Sequence, residues 1–204
     1  MSRLVAFGCS YTYGHGLPDC HLGTNLPGPK PSDLAWPSVL AKLLELEVVN
    51  RSNPGASNLH ILWNLLNFKF KKDDICVVLW THLHRHVYSV LTENPSESKW
   101  DEGGLEAMQE MQIDETNLLI KNFICINHAD MHLNNLDIKH YFLFGPTMSA
   151  AKLVNACPES IRPNEFIMGV PFKGLDVALD GNHPGPKSHS DFALRIYNNI
   201  NGIR

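Results

Sequence analysis

Three residue types that together can cleave an acyl bond sit at opposite ends of this 204-residue chain. Ser10 lies in Gly8-Cys9-Ser10-Tyr11-Thr12-Tyr13-Gly14, directly after the apolar run Leu4-Val5-Ala6-Phe7. A serine displayed between glycines at the end of a strand is where a nucleophile would stand. Near the C-terminus, Asp180-Gly181-Asn182-His183 supplies an acid and a base that one turn can present together. Serine-based acyl transfer needs a hydroxyl, a base to take its proton, an acid to orient that base, and donors where the oxyanion forms. Ser10 would be the nucleophile, His183 the base and Asp180 the orienting carboxylate. Each motif alone also reads as ordinary turn chemistry, because Ser, Asp and Gly favour turns.

Positioning these groups is the task of the elements between them. Strand-like runs lie at residues 3–8, about 47–51, 74–80 and about 137–144, and helix-compatible segments follow the first three. The first helix is predicted from Leu34 to Leu44, with Ser32 or Asp33 as N-cap, Pro37 in the first turn, and Val39, Leu40, Leu43 and Leu44 buried. A second is predicted from Ser57-Asn58 to about Lys69, turning Leu59, Leu62, Trp63 and Leu66 inward. Residues from Leu105 to about Asn134 read as one kinked helix or two, with Leu118, Leu119, Phe123 and Ile126 at helical spacings. Ser188 or Ser190 is expected to cap a final helix containing Phe192, Leu194, Ile196 and Ile200. This β/α alternation implies α/β architecture: a three-layer α/β/α sandwich with a mostly parallel sheet, in a single domain spanning 1–204. In such sheets the ligand site lies beyond the carboxyl ends of the strands, near the switch in strand order. Ser10 follows the first strand there.

The residues around Ser10 resemble the first sequence block of the SGNH/GDSL hydrolases, and Asp180-Gly181-Asn182-His183-Pro184 resembles their last. Asn50-Arg51-Ser52-Asn53-Pro54-Gly55-Ala56-Ser57-Asn58 is similar to the second block, and Leu79-Trp80-Thr81-His82-Leu83-His84-Arg85 occupies the place of the third. The resemblance implies a flavodoxin-like SGNH fold and a serine esterase that needs no cofactor. It assigns the oxyanion hole to the N–H groups of Ser10 and Gly55, with an asparagine side chain from the third block. That asparagine is absent here, and His82 or Thr81 stands where it would be. Cys9 also replaces an aspartate of the first block, which implies altered local hydrogen bonding. The substrate it implies is a small-molecule or carbohydrate ester, most simply a short acyl ester such as an acetyl group on a sugar.

Composition narrows the partners. A formal net charge of −4 without blocks of like charge argues against nucleic acid. Five cysteines without a C-x-x-C pair point to a reducing compartment. No signal peptide or apolar membrane span is recognisable, so a cytoplasmic location without membrane association is expected. Tyr11, Trp80 and Arg85 are candidates for lining the substrate site, and for Arg85 pairing with an acidic side chain is the competing reading. Trp36 and Trp63 read as core or cleft-wall aromatics, and His15, His21 and His60 as surface or cleft residues. The segment Leu26–Pro31, rich in Pro and Gly, reads as a stiff rim of the cleft. Two alternative functions stand beside the esterase. One is a catalytically silent module that binds a glycan or a protein. The other is a metal hydrolase built on His82, His84 and His86, which lack a nearby Cys or carboxylate ligand.

Overall fold

The central strand is buried on both faces. Leu4, Val5, Ala6 and Phe7 have no exposed surface, as a parallel strand covered by helices on either side requires. A computed structural model describes residues 2–23, 26–83, 85, 115–144, 172 and 174–203. In it β1 (Arg3–Phe7) pairs in parallel with β2 (Glu47–Asn50) on one side and β3 (Ile75–Trp80) on the other, and β3 pairs in parallel with β4 (Lys139–Phe144). The order is therefore β2-β1-β3-β4. The chain leaves β1 in one direction and later returns to its opposite side, so the switch in strand order lies between β1 and β3. Ser10 follows the first of these strands and Thr81 the second.

Alternate residues of the strands feed two cores. On one face Val5, Phe7, Cys76, Val78, Trp80 and Phe142 pack under α3 (Asn58–Leu66) and α4 (Glu115–Asn135). On the other, Leu4, Ala6, Val77, Leu79 and Leu143 pack under α2 (Trp36–Leu43) and α5 (Pro186–Ile200). A four-residue helix, α1 (Ser10–Tyr13), follows β1 directly. The expected three-layer α/β/α arrangement with a parallel sheet is the one observed.

The helices depart from expectation at their ends and in their rotation. Neither Ser32 nor Asp33 caps α2. Its N-cap is Ala35, and the orphan N–H of Trp36 donates instead to the ring Nδ1 of His189 at 3.1 Å. Ser57 does cap α3, accepting the His60 N–H at 3.2 Å. The inward stripe of α3 is Asn58, Ile61, Leu62 and Leu65, while Leu59 and Trp63 are exposed. The reason is a polar pin. Asn58 is buried and bonds both backbone groups of Thr81, which fixes the rotation of the helix. Ser188 lies inside α5 rather than capping it; Gly185 is the N-cap, and the Asp176 carboxylate accepts the N–H groups of Lys187 and Ser188. Phe192 and Ile196 are buried there as expected, whereas Leu194 is exposed. Of the helix expected from Leu105, residues 105–114 lie outside the described residues. Among the described residues, no helix is long and apolar enough to cross a membrane.

Candidate active site

Ser10 is the first residue of α1 and is 5% exposed. Its N–H, first in the helix, has no intrahelical acceptor and is available to an anion in front of it. Cys9 at the N-cap makes no side-chain cap bond, and its side chain joins the core under α3. Aspartate, a strong capping residue, would have offered an acceptor here. With cysteine at this position the helix start is held through the Cys9 carbonyl, which accepts from Thr12 and Tyr13 at 2.9 and 3.0 Å.

Asp180 and His183 are joined side chain to side chain on a tight turn. The His183 Nδ1–H donates to Asp180 Oδ2 at 2.5 Å, while Asp180 Oδ1 accepts the N–H groups of Asn182 and His183 at 3.0 Å each. This fixes the tautomer, leaving Nε2 as the basic nitrogen. Burial would raise the Asp180 pKa, but the two backbone N–H groups and the imidazole outweigh it, so the carboxyl titrates below the ordinary range. The turn is closed by Ala178 N–H to His183 O at 2.8 Å.

The segment after α1 docks this turn against the helix that Ser10 begins. Leu179 N–H donates to Gly16 O at 2.9 Å. The Tyr11 ring meets His183 edge-on at 5.6 Å, and the His15 ring stacks on His183 at 4.7 Å with 25° between planes. Among the described residues, Ser10 and His183 are not hydrogen-bonded to each other; the His183 ring bonds Asp180. Sequence reasoning gave His15 a bland surface or cleft role. The available signal was its place just past the helix end, where Gly14 in the left-handed conformation (φ 79°) turns the chain back.

Solved structures share this architecture. A carbohydrate esterase whose active site displays divergent catalytic and non-catalytic binding functions matches with a TM-score of 0.65 at 14% identity, over 98% of this chain and 64% of that one. A G-D-S-L family lipolytic protein from Desulfitobacterium hafniense DCB-2 matches at 0.53 and 13%, over 96% and 97%. An acetyl xylan esterase, Est2A, from Butyrivibrio proteoclasticus matches at 0.60 and 17%, over 99% and 65%. This chain has the SGNH-hydrolase fold. It spans about two thirds of the length of the carbohydrate esterases it matches. At the level of sequence, no family model and no curated protein matches.

Within the SGNH frame, the second block is held beside the first. Arg51 N–H donates to Ala6 O at 2.8 Å, Asn53 N–H to Gly8 O at 3.1 Å, and the Asn50 amide to Thr12 O at 2.8 Å. The segment leading to Gly55 therefore runs along the end of β1. At the third block Thr81 is buried, its hydroxyl accepting from Arg85 Nη1 at 2.7 Å, and His82 is half-buried. An oxygen that accepts from a guanidinium still has its own O–H to donate.

Trp80 does not line the site. It faces the core under α3 and α4 with no exposed surface, edge-on to Phe142 at 5.6 Å. The last strand residue points into the sheet's packing, and the site begins one residue later. Trp36 is in the core, whereas Trp63 is exposed on α3. Tyr11 packs against His183, and burial foremost pushes its phenol pKa up.

Of the triple-histidine cluster, His84 and His86 lie outside the described residues. The one group among the described residues with metal-ligand types in proximity is His15, Asp180 and His183, with ligand atoms within 4.8 Å. The His183 Nδ1–H is already committed to Asp180 Oδ2, so that nitrogen has no lone pair to offer a metal ion.

Proposed function

We propose that the chain is an SGNH-type serine esterase that hydrolyses a short acyl ester, such as an acetyl group on a carbohydrate. The observation that carries this reading is the Asp180–His183 pair, with its tautomer fixed and its turn docked on the helix that starts with Ser10. Ser10 Oγ attacks the acyl carbon and gives its proton to His183 Nε2. The developing oxyanion takes the N–H groups of Ser10 and Gly55, with Thr81 or His82 in place of the usual asparagine. The alcohol leaves with the proton held on His183. A water molecule, deprotonated by the same nitrogen, then cleaves the acyl-enzyme. No cofactor enters these steps. The carbohydrate part rests on fold analogy with the esterases named above.

A second reading, a module that binds a glycan or a protein without cleaving it, is favoured by the missing asparagine. Loss of one oxyanion donor costs roughly 100- to 1000-fold in turnover. Intact mass after treatment with a fluorophosphonate probe separates the two, using Ser10→Ala and His183→Ala as controls. A single adduct absent from both folded variants supports the esterase. A folded native protein that takes no adduct makes the binding module the better reading.

A further inference from the structure

His15 touches the imidazole of His183 face to face, and none of the steps above uses it. Its placement is tightly specified. Its N–H donates to the Ser10 carbonyl at 3.1 Å, Gly14 before it holds φ 79° and Gly16 after it φ 81°, and the Gly16 carbonyl accepts the Leu179 N–H. The turn that ends the nucleophile's helix thus also sets the His15 ring on the base. His183 is held by three different groups: the Asp180 carboxylate at one edge, the Tyr11 ring edge-on, and the His15 ring across one face.

From this geometry we infer that His15 is a positioning residue for His183, fixing the plane of its ring and presenting a neutral π face to the imidazolium formed during acyl transfer. The inference rests on the triad reading above. A stacked neutral ring stabilises a neighbouring cation through its π face, while two imidazoles in contact cannot both hold a proton without repulsion. A proton on one ring therefore disfavours a proton on the other.

The groups around the pair come from each packed element. Asp180 lies on the turn of His183 itself and Tyr11 on α1, where Arg85 acts electrostatically on the phenol. His189, at the start of α5, is kept neutral by burial, with a pKa of about 3. Asp180 stays ionised and Tyr11 stays neutral near pH 7. Among these described neighbours, His15 is the one whose ring stacks on the His183 imidazole.

Two readouts test the inference on the native protein, His15→Phe and His15→Ala. The first is the ¹⁵N NMR titration of the His183 ring, which needs no activity. The native protein should show two steps sensed by both imidazoles, and His15→Phe, which keeps a stacking ring without a titrating group, a single step. The second is the rate of Ser10 labelling by the fluorophosphonate across pH 5–9. His15→Ala should lose about 10-fold, His15→Phe should recover most of it, and its acid limb should follow one ionisation. An unchanged His183 titration in His15→Phe overturns the inference. Absence of labelling in the native protein counts against the esterase reading, and the NMR result still decides the coupling. If His15→Ala fails to fold, His15→Phe carries the test alone.

Discussion

Gly16 stands so close to Asp180 that a methyl group on its Cα would lie 2.5 Å from the carboxylate carbon. Its φ of 81° is also one that L side chains rarely adopt. Gly16→Ala should therefore push the Asp180–His183 turn away from α1. We expect a stability loss of about 1–3 kcal/mol in urea unfolding and at least a 10-fold drop in Ser10 labelling. Gly23→Ala is the control, since Gly23 has φ 73° but open space around it. Equal effects on labelling from the two substitutions would show that contact with Asp180 is unimportant.

Asn58 knits three elements behind the site. Its Oδ1 accepts the Thr81 N–H at 2.8 Å, while its Nδ2 donates to Thr81 O at 3.1 Å and to Asn122 Oδ1 at 2.5 Å. Asn122 in turn donates to the Leu83 and Leu118 carbonyls at 2.9 and 2.7 Å. Truncating Asn58 to Ala leaves the buried Thr81 N–H and Asn122 Oδ1 without partners, each worth about 1–3 kcal/mol. The expected result is a loss of about 2–4 kcal/mol in chemical denaturation. A loss under 0.5 kcal/mol would mean that water or a neighbour replaces the amide.

Those same residues show what was readable beforehand. The four strands were legible because each is a short apolar run, and a sheet covered on both faces tolerates little else. The Asp180–His183 contact was legible because the two residues are close in sequence, and Ser10 stood out because it follows a strand. The rotation of α3 was not, since hydrophobic spacing alone fits Leu59 and Trp63 as well as Ile61 and Leu65. Asn58, a polar residue 1% exposed, decides between them. The N-terminus of α2 was illegible for a similar reason: its donor is satisfied by His189, more than 150 residues away. Trp80 read as a site residue because it ends a strand, yet the pleat turns it inward. His15 was missed because a contact with His183 exists only once both ends of the chain meet.

At the opposite end of the sheet, Arg3 at the start of β1 clasps Asp74 just before β3. Arg3 Nε and Nη2 donate to the two carboxylate oxygens at 2.9 and 2.6 Å, and Lys71 N–H adds a bond at 2.7 Å. Burial opposes ionisation of Asp74, but these donors outweigh it and its pKa lies below the ordinary range. A carboxyl with a depressed folded pKa stabilises above its unfolded value, and the benefit is lost as pH falls through the folded one. Asp74→Asn should cost about 3 kcal/mol at pH 7, and the gap from the native protein should narrow below about pH 4. A gap independent of pH would show that the hydrogen bonds matter and the charge does not.

His189 supplies the opposite kind of pH dependence to a favourable protonation. Its ring is wholly buried, its Nδ1 must stay unprotonated to accept the Trp36 N–H, and burial above all lowers its pKa to about 3. In the unfolded chain a histidine titrates near 6.5. Between those values the unfolded state binds a proton that the native state refuses, so stability falls as pH falls from about 6.5 toward 3. Around pH 5 this one residue contributes a slope approaching about 1.4 kcal/mol per pH unit. His189→Asn keeps an acceptor for Trp36 without a titrating ring. Its urea-unfolding free energy should be lower than native at pH 7.5, yet decline less steeply between pH 6.5 and 4.5. Parallel curves for the two proteins would mean that the acid sensitivity arises elsewhere and that His189 is not the group opposing protonation.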